Sequence, residues 1–294
     1  MKNHIPVMLE EVINYLNIKN TGTYIDCTLG GGGHSQKIIE NLSDKGKLFC
    51  LDWDISAIEN ANVKFGKYRN IFILNENFAN LEEIVKKYKI RNIKGILLDL
   101  GFSSLQIEDG NRGFSFNYEA SLDMRYDTKG LQTAEYILNN YSELELSNIL
   151  RDYADERFAG NIAKSICLIR KIERIKTTKD LVDIIRKSTP KWYQHRRVHF
   201  ATKTFQAIRI ATNNEMENIK KGILSAIKVA SKGAIIVVIS FHSIEHRMLK
   251  NIFKETEKNN IIRLIEKKPV FPTYKEIMNN PRARSAQMRI IEKI

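Results

Sequence analysis

Tyr24-Ile25-Asp26-Cys27-Thr28-Leu29-Gly30-Gly31-Gly32-Gly33-His34-Ser35 is the stretch around which the rest of the chain is read. A short apolar strand (residues 24–27) runs into four consecutive glycines, and His34-Ser35-Gln36 opens the helical pattern Lys37-Ile38-Ile39-Glu40-Asn41-Leu42. Glycines allow a tight turn and close approach of backbone to a ligand, while free N–H groups at a helix start favour a negative group. Strand, glycine turn and helix start therefore predict a nucleotide-type cradle. A flexible linker would not be bracketed so closely by strand and helix signals.

The dinucleotide fingerprint G-x-G-x-x-G would need glycine at position 35, where Ser35 stands. Counted from Asp26, the run is D-x-T-x-G-x-G, close to the first motif of S-adenosylmethionine (SAM) methyltransferases, with Thr28 replacing a glycine. Asp52 ends a second strand (residues 47–51), about twenty residues past the glycines. An acid at that distance can accept both ribose hydroxyl protons of an adenosine. Asp54 reads as a helix N-cap before Ala57-Ile58. The pattern leans toward SAM without excluding NAD.

The totals narrow the class further. At 294 residues the chain has length for one large or two moderate domains. A formal net charge of +13 favours a polyanionic partner, nucleic acid or ribosome, over a small acidic metabolite. A lysine-rich bias, seen also in abundant Ile and Asn, accounts for part of the excess, so clustering carries the argument. Cys27, Cys50 and Cys167 have no metal spacing and read as small core residues in a reducing compartment. His34, His195, His199 and His242 also lack ligand spacing, and no metal is expected. No signal-type h-region follows Met1-Lys2-Asn3-His4, and the longest apolar run, residues 234–239, suits a strand, so a cytoplasmic protein with no membrane association is expected.

Taken in order, residues 5–17 read as a helix, and strands at 24–27, 47–51, 70–74 and 95–99 alternate with helices at 37–42, 55–65 and 81–88. That alternation predicts a doubly wound parallel sheet whose carboxyl edge collects Gly30 to Gly33, Asp52, Phe78 and Asp99. Phe78 could stack on an adenine or fill the core. A polar, glycine-bearing loop follows over residues 101–127, beside the ligand edge, where long loops are usually functional. Helical patterns at 133–140, 143–152, 159–173 and 179–187 then interrupt the sheet as an inserted domain. Between positions 164 and 203 stand twelve Lys/Arg and three acids, net +9. They include Lys191-Trp192-Tyr193-Gln194-His195-Arg196-Arg197, in which Lys191, Trp192, Arg196 and Arg197 are candidates for phosphate contact and base stacking. A solvated helix face is the plainer reading of the same charges. After helices at 201–211 and 215–230 the sheet resumes, with strands at 234–239, 261–265 and 287–291 and a helix at 244–253. Seven strands with a late hairpin suit a SAM methyltransferase sheet better than a dehydrogenase.

Several motifs stand in one order: Asp26 with Gly30 to Ser35, Leu98-Asp99-Leu100-Gly101-Phe102-Ser103-Ser104-Leu105-Gln106, Arg112-Gly113-Phe114-Ser115-Phe116, Leu122-Asp123-Met124-Arg125, Thr204 to Arg209, Ile239 to Glu245, and Asn280 to Ser285. Across nearly the whole chain, this set resembles the RsmH (MraW) family of ribosomal RNA small-subunit methyltransferases. The resemblance implies SAM-dependent methylation of the exocyclic N4 of one cytidine in the decoding region of 16S rRNA, within an assembled or nearly assembled small subunit. It implies a Rossmann-like core of seven strands, the last antiparallel, at residues 1–104 and 204–294, with an inserted all-helical substrate domain at 105–203. Carried over by motif, the SAM contacts are Gly32, Gly33, His34, Asp52, Phe78, Asp99 and Gln106. Leu105 and Ser121 replace common prolines, and Phe200-Ala201-Thr202-Lys203 replaces Pro-Ala-Thr-Arg with the local charge kept. Asp99-Leu100-Gly101-Phe102 also has the D-x-x-aromatic spacing of amino-methyltransferases, so Asp99 is a candidate acceptor of an N4 proton and Phe102 a candidate stacking residue.

Overall fold

The computed structural model describes residues 5–101, 110–128 and 130–294. Contacts divide the chain into two compact units, residues 1–104 with 217–294, and residues 105–216.

The first unit is built on a seven-stranded sheet of order β3-β2-β1-β4-β5-β7-β6. Its strands are β1 (Thr23–Asp26), β2 (Lys47–Asp52), β3 (Ile71–Asn75), β4 (Ile93–Asp99), β5 (Ile235–Ser240), β6 (Ile262–Leu264) and β7 (Gln287–Lys293). The first five pair in parallel, and β7 runs antiparallel to both β5 and β6. The seven strands and the reversed last one agree with the reading of the sequence. The β-branched run of β5 and the apolar run of β4 are buried on both faces, as a central parallel strand requires. Phe72 on edge strand β3 instead stacks on Phe49 at 4.6 Å and stays partly exposed.

The strand order reverses at β1, which lies between β2 and β4. In open α/β sheets ligands bind beyond the carboxyl ends of the strands at such a switch point. Gly95 lets β4 approach β1 here: a Cβ on it would sit 2.7 Å from the ring of the buried Tyr24. Around the sheet lie α1 (Leu9–Leu16), α2 (Gly33–Glu40), α3 (Ile55–Phe65) and α4 (Leu81–Lys87). Asp54 caps α3 by accepting the Ser56 N–H, as its position suggested.

The second unit contains α5 (Ala134–Asn140), α6 (Glu143–Ala154), α7 (Ala159–Ile169), α8 (Thr178–Ser188), α9 (Lys191–Gln194) and α10 (Thr202–Asn213). Ser142 with Glu145, and Thr177 with Asp180, form capping boxes that start α6 and α8. The insert expected over residues 105–203 extends in this unit to Met216 and keeps α10, which packs on α6. The reason is a buried polar cluster. Arg209 donates to both oxygens of Glu215 at 2.7 and 2.9 Å, and Tyr126 donates its hydroxyl to Glu215 at 3.1 Å. Asn213 accepts from the Tyr126 N–H and donates to the Met124 carbonyl, tying the Leu122–Tyr126 segment to α10.

Helix α11 (Glu215–Val229) leads back to β5, and α12 (Ser243–Lys258) and α13 (Tyr274–Asn279) complete the first unit. Among the described residues no helix is long and apolar enough to cross a membrane.

Candidate active site

The glycine turn is shaped by its own surroundings. β1 ends at Asp26, whose buried carboxylate accepts the Thr28 N–H at 3.1 Å and the Ser35 hydroxyl at 2.6 Å. Burial pushes its carboxyl up, against the pull of Ser35 and His34. Gly30 and Gly32 have positive φ (48° and 68°), which an L side chain rarely adopts. Gly33 answers a different need: a Cβ there would lie 2.3 Å from Cγ of Pro6. The Lys64 ammonium donates to the carbonyls of Gly31 (2.9 Å) and Gly32 (3.0 Å), a contact from α3 that no local sequence signal announced.

Asp52 at the end of β2 accepts the Gly30 N–H on Oδ2 at 2.9 Å and the Asp54 N–H on Oδ1 at 3.0 Å. Burial raises its carboxyl to about 6, opposed by those two hydrogen bonds. Phe78 follows β3 in a short 3-10 turn capped by Asn77. One ring edge faces Gly222 of α11, where a Cβ would be 2.3 Å from Cδ2, and the ring remains partly exposed.

Asp99 ends β4. Its N–H donates to Thr28 Oγ1 at 2.7 Å, so the residue that departs from the glycine motif ties the loop after β1 to β4. Oδ2 lies 3.6 Å from His34 Nδ1, and Oδ1 is buried with no hydrogen-bond partner among the described residues. Burial raises the Asp99 carboxyl to about 6; nearby Asp26 and Glu245 add to this and His34 opposes it. Unpaired buried carboxylate oxygens are costly and mark a place where a donor belongs. Gly32, Gly33, His34, Asp52 and Asp99 thus come together at the β1–β4 switch point, and Phe78 follows the neighbouring strand end. Phe102 and Gln106 lie outside the described residues.

The profile of the MraW methylase family matches residues 1–294. The chain belongs to that family. It is 41% identical over 309 residues to the ribosomal RNA small subunit methyltransferase H of Halothermothrix orenii, covering 100% of this chain and 99% of the relative. It is 43% identical to the proteins of that name in Caldicellulosiruptor saccharolyticus, over 309 residues, and Mesoplasma florum, over 311, each comparison covering both chains completely.

The helical unit of this MraW methylase carries the basic candidates around α9. Tyr193 is buried and donates its hydroxyl to both oxygens of Glu156, at 2.8 and 3.0 Å. Its phenol is pushed up by burial and by that acid. The pin holds Trp192 outward, 53% exposed, with its ring 5.9 Å from Phe158 and the Arg157 guanidinium 5.3 Å above it. Lys191, Arg196 and Arg197 are exposed, and Arg196 sits over the Tyr193 ring at 5.3 Å. Arg157 was missed in the sequence because it precedes Trp192 by 35 positions.

Proposed function

We propose that this methylase transfers a methyl group from S-adenosylmethionine to the exocyclic N4 of a specific cytidine in the decoding region of small-subunit (16S) rRNA, in the cytoplasm. The observation that carries the reading is full-length identity of 41–43% with relatives named ribosomal RNA small subunit methyltransferase H. A sheet of order 3-2-1-4-5-7-6 with its glycine turn and two acids at the switch point supports it.

The site's residues fit the cofactor. Asp52 uses two of about four carboxylate lone-pair directions on backbone N–H groups, leaving two for a ribose diol. Gly32, Gly33, His34, Asp52, Phe78, Asp99 and Gln106 would hold SAM, which when bound supplies an electrophilic methyl group. Asp99 would act on the base. A cytosine amino group is a weak nucleophile because its lone pair is delocalised into the ring, so it needs placement and an acceptor for one proton. Oδ1 of Asp99, without a partner among the described residues, suits that acceptor role. Phe102 would stack on a base taken out of its helix. In the 105–203 insert, Lys191, Trp192, Arg196 and Arg197 would contact RNA phosphates and bases.

Mass mapping of 16S rRNA from cells with and without the gene tests the reading. One methyl group on a decoding-region cytidine should vanish with the gene and return when small subunits are incubated with protein and SAM. An unchanged rRNA map would refute it.

A further inference from the structure

His34 lies in the glycine-loop motif, yet its ring serves the protein. It is 5% exposed, with Nε2 3.0 Å from the Val7 carbonyl oxygen and Nδ1 3.6 Å from Asp99 Oδ2. A carbonyl oxygen only accepts, so Nε2 carries a hydrogen. Nδ1 is therefore the nitrogen that answers to Asp99. A bare Nδ1 lone pair facing a carboxylate is unfavourable, whereas one proton between Nδ1 and Oδ2 makes the contact attractive. Among the described residues the charged groups acting on Asp99 besides His34 are Asp26 on β1 and Glu245 on α12, both acids. Opposing them at Asp99 is the His34 ring, on α2, which carries charge only when protonated. Asp99 is fixed from the other side by its own N–H on Thr28 Oγ1.

We propose that His34 is the positioning residue of Asp99: Val7 holds the ring through Nε2, Nδ1 engages Oδ2, and Oδ1, without a partner among the described residues, is left to take a proton from the substrate amino group. The inference rests on Asp99 as the N4 proton acceptor. In that step the N–H bond breaks, its electron pair stays on nitrogen, and the proton passes to Oδ1 and then to water. Without the ring, Asp99 loses the neighbour that opposes those two acids. Asp99 would then hold a proton to higher pH and serve less well as an acceptor.

Two substitutions separate positioning from packing. His34→Gln keeps an amide donor that reaches Val7 but offers Asp99 nothing. His34→Asn offers a donor at the position of Nδ1 and gives up the Val7 anchor. Single-turnover methyl transfer at saturating SAM should fall about tenfold in His34→Gln at pH 7, with the acid limb of the pH–rate profile moved up about one unit, so that most of the deficit disappears near pH 8.5. His34→Asn should recover part of the pH 7 rate. Adding His34→Gln to Asp99→Asn should cost nothing further. In the unmutated protein, 15N shifts of the His34 ring should report the Nε2–H tautomer when the ring is neutral. An Nδ1–H tautomer, a deficit that persists at pH 8.5, or an equal loss in the Asp99→Asn background would each overturn the proposal. If Asp99→Asn itself transfers at the normal saturated rate, the acceptor reading fails instead, and the tautomer still tests the pairing alone.

Discussion

The carboxyl ends of β2 and β4 each carry a half-buried aspartate raised to about 6, yet the two are wired differently. Asp52 has a backbone N–H on each oxygen, so its place is fixed before any ligand arrives. Asp99 has one oxygen near His34 and one with no partner among the described residues. A similar shift in acidity therefore accompanies two different environments, matching the two proposed roles, an acceptor for something held and an acceptor for something that moves. Hydrogen-bond satisfaction separates them where acidity does not.

The largest test of that contrast is Asp99→Asn. It should lower saturated single-turnover transfer by about a hundredfold or more, in the range of general acid–base contributions. An Asp99 that serves only SAM would instead weaken binding and leave saturated turnover nearly intact. Asp52→Ala should do the reverse, weakening SAM binding about ten- to hundredfold for the loss of charge-assisted hydrogen bonds, with saturated turnover less affected. Calorimetric titration of the folded variant checks it, and an unchanged dissociation constant would remove Asp52 from the site. Charge reversal at Lys191, Arg196 and Arg197 should touch neither acid. It should raise the apparent KM for RNA and reduce the salt slope by about 2, at roughly 0.7 per phosphate contact on single strands, leaving SAM affinity alone. Equal slopes would return that stretch to a solvated surface.

The smallest effect is on stability, and its sign follows from linkage. A carboxyl raised in the folded state favours folding below its ordinary range near pH 4, and that contribution is lost as pH rises through about 6. Asp99→Asn carries no charge to bury. Its melting temperature should exceed that of the unsubstituted protein by roughly 2–4 °C at pH 8 and match it near pH 4. Asp52→Asn should show no such gain, because an amide nitrogen would face one of the two backbone N–H groups. Scanning calorimetry at the two pH values decides between them.

The sheet was legible because its strands are short β-branched or apolar runs punctuated by glycine and by capping residues such as Asp54. Those signals are local. The insert's far boundary was not legible, since it depends on Arg209 reaching Glu215 and Asn213 reaching Met124 across 89 positions. Within the site, residue types were readable but their reasons were not. Gly33 answers to Pro6, Phe78 leans on Gly222, and Lys64 grips a loop more than thirty residues earlier. The ring of His34 has the same lesson: the motif located it, and only the fold showed that both its nitrogens face protein atoms.

The pairing of β4 with β5 also has a cost in time. These central neighbours, Asp99 opposite Ile239, are separated by the entire helical unit. During synthesis at about 5–20 residues per second, β4 waits on the order of ten seconds for its partner. Through that interval an apolar strand, with Ile96, Leu97 and Leu98 fully buried in the finished sheet, offers an unpaired edge. Rapid closure of the intervening helices on their own core shortens the effective loop that β5 must span. A lesion confined to the helical unit should therefore lower soluble yield through aggregation at the β4 edge, with no change at the glycine turn.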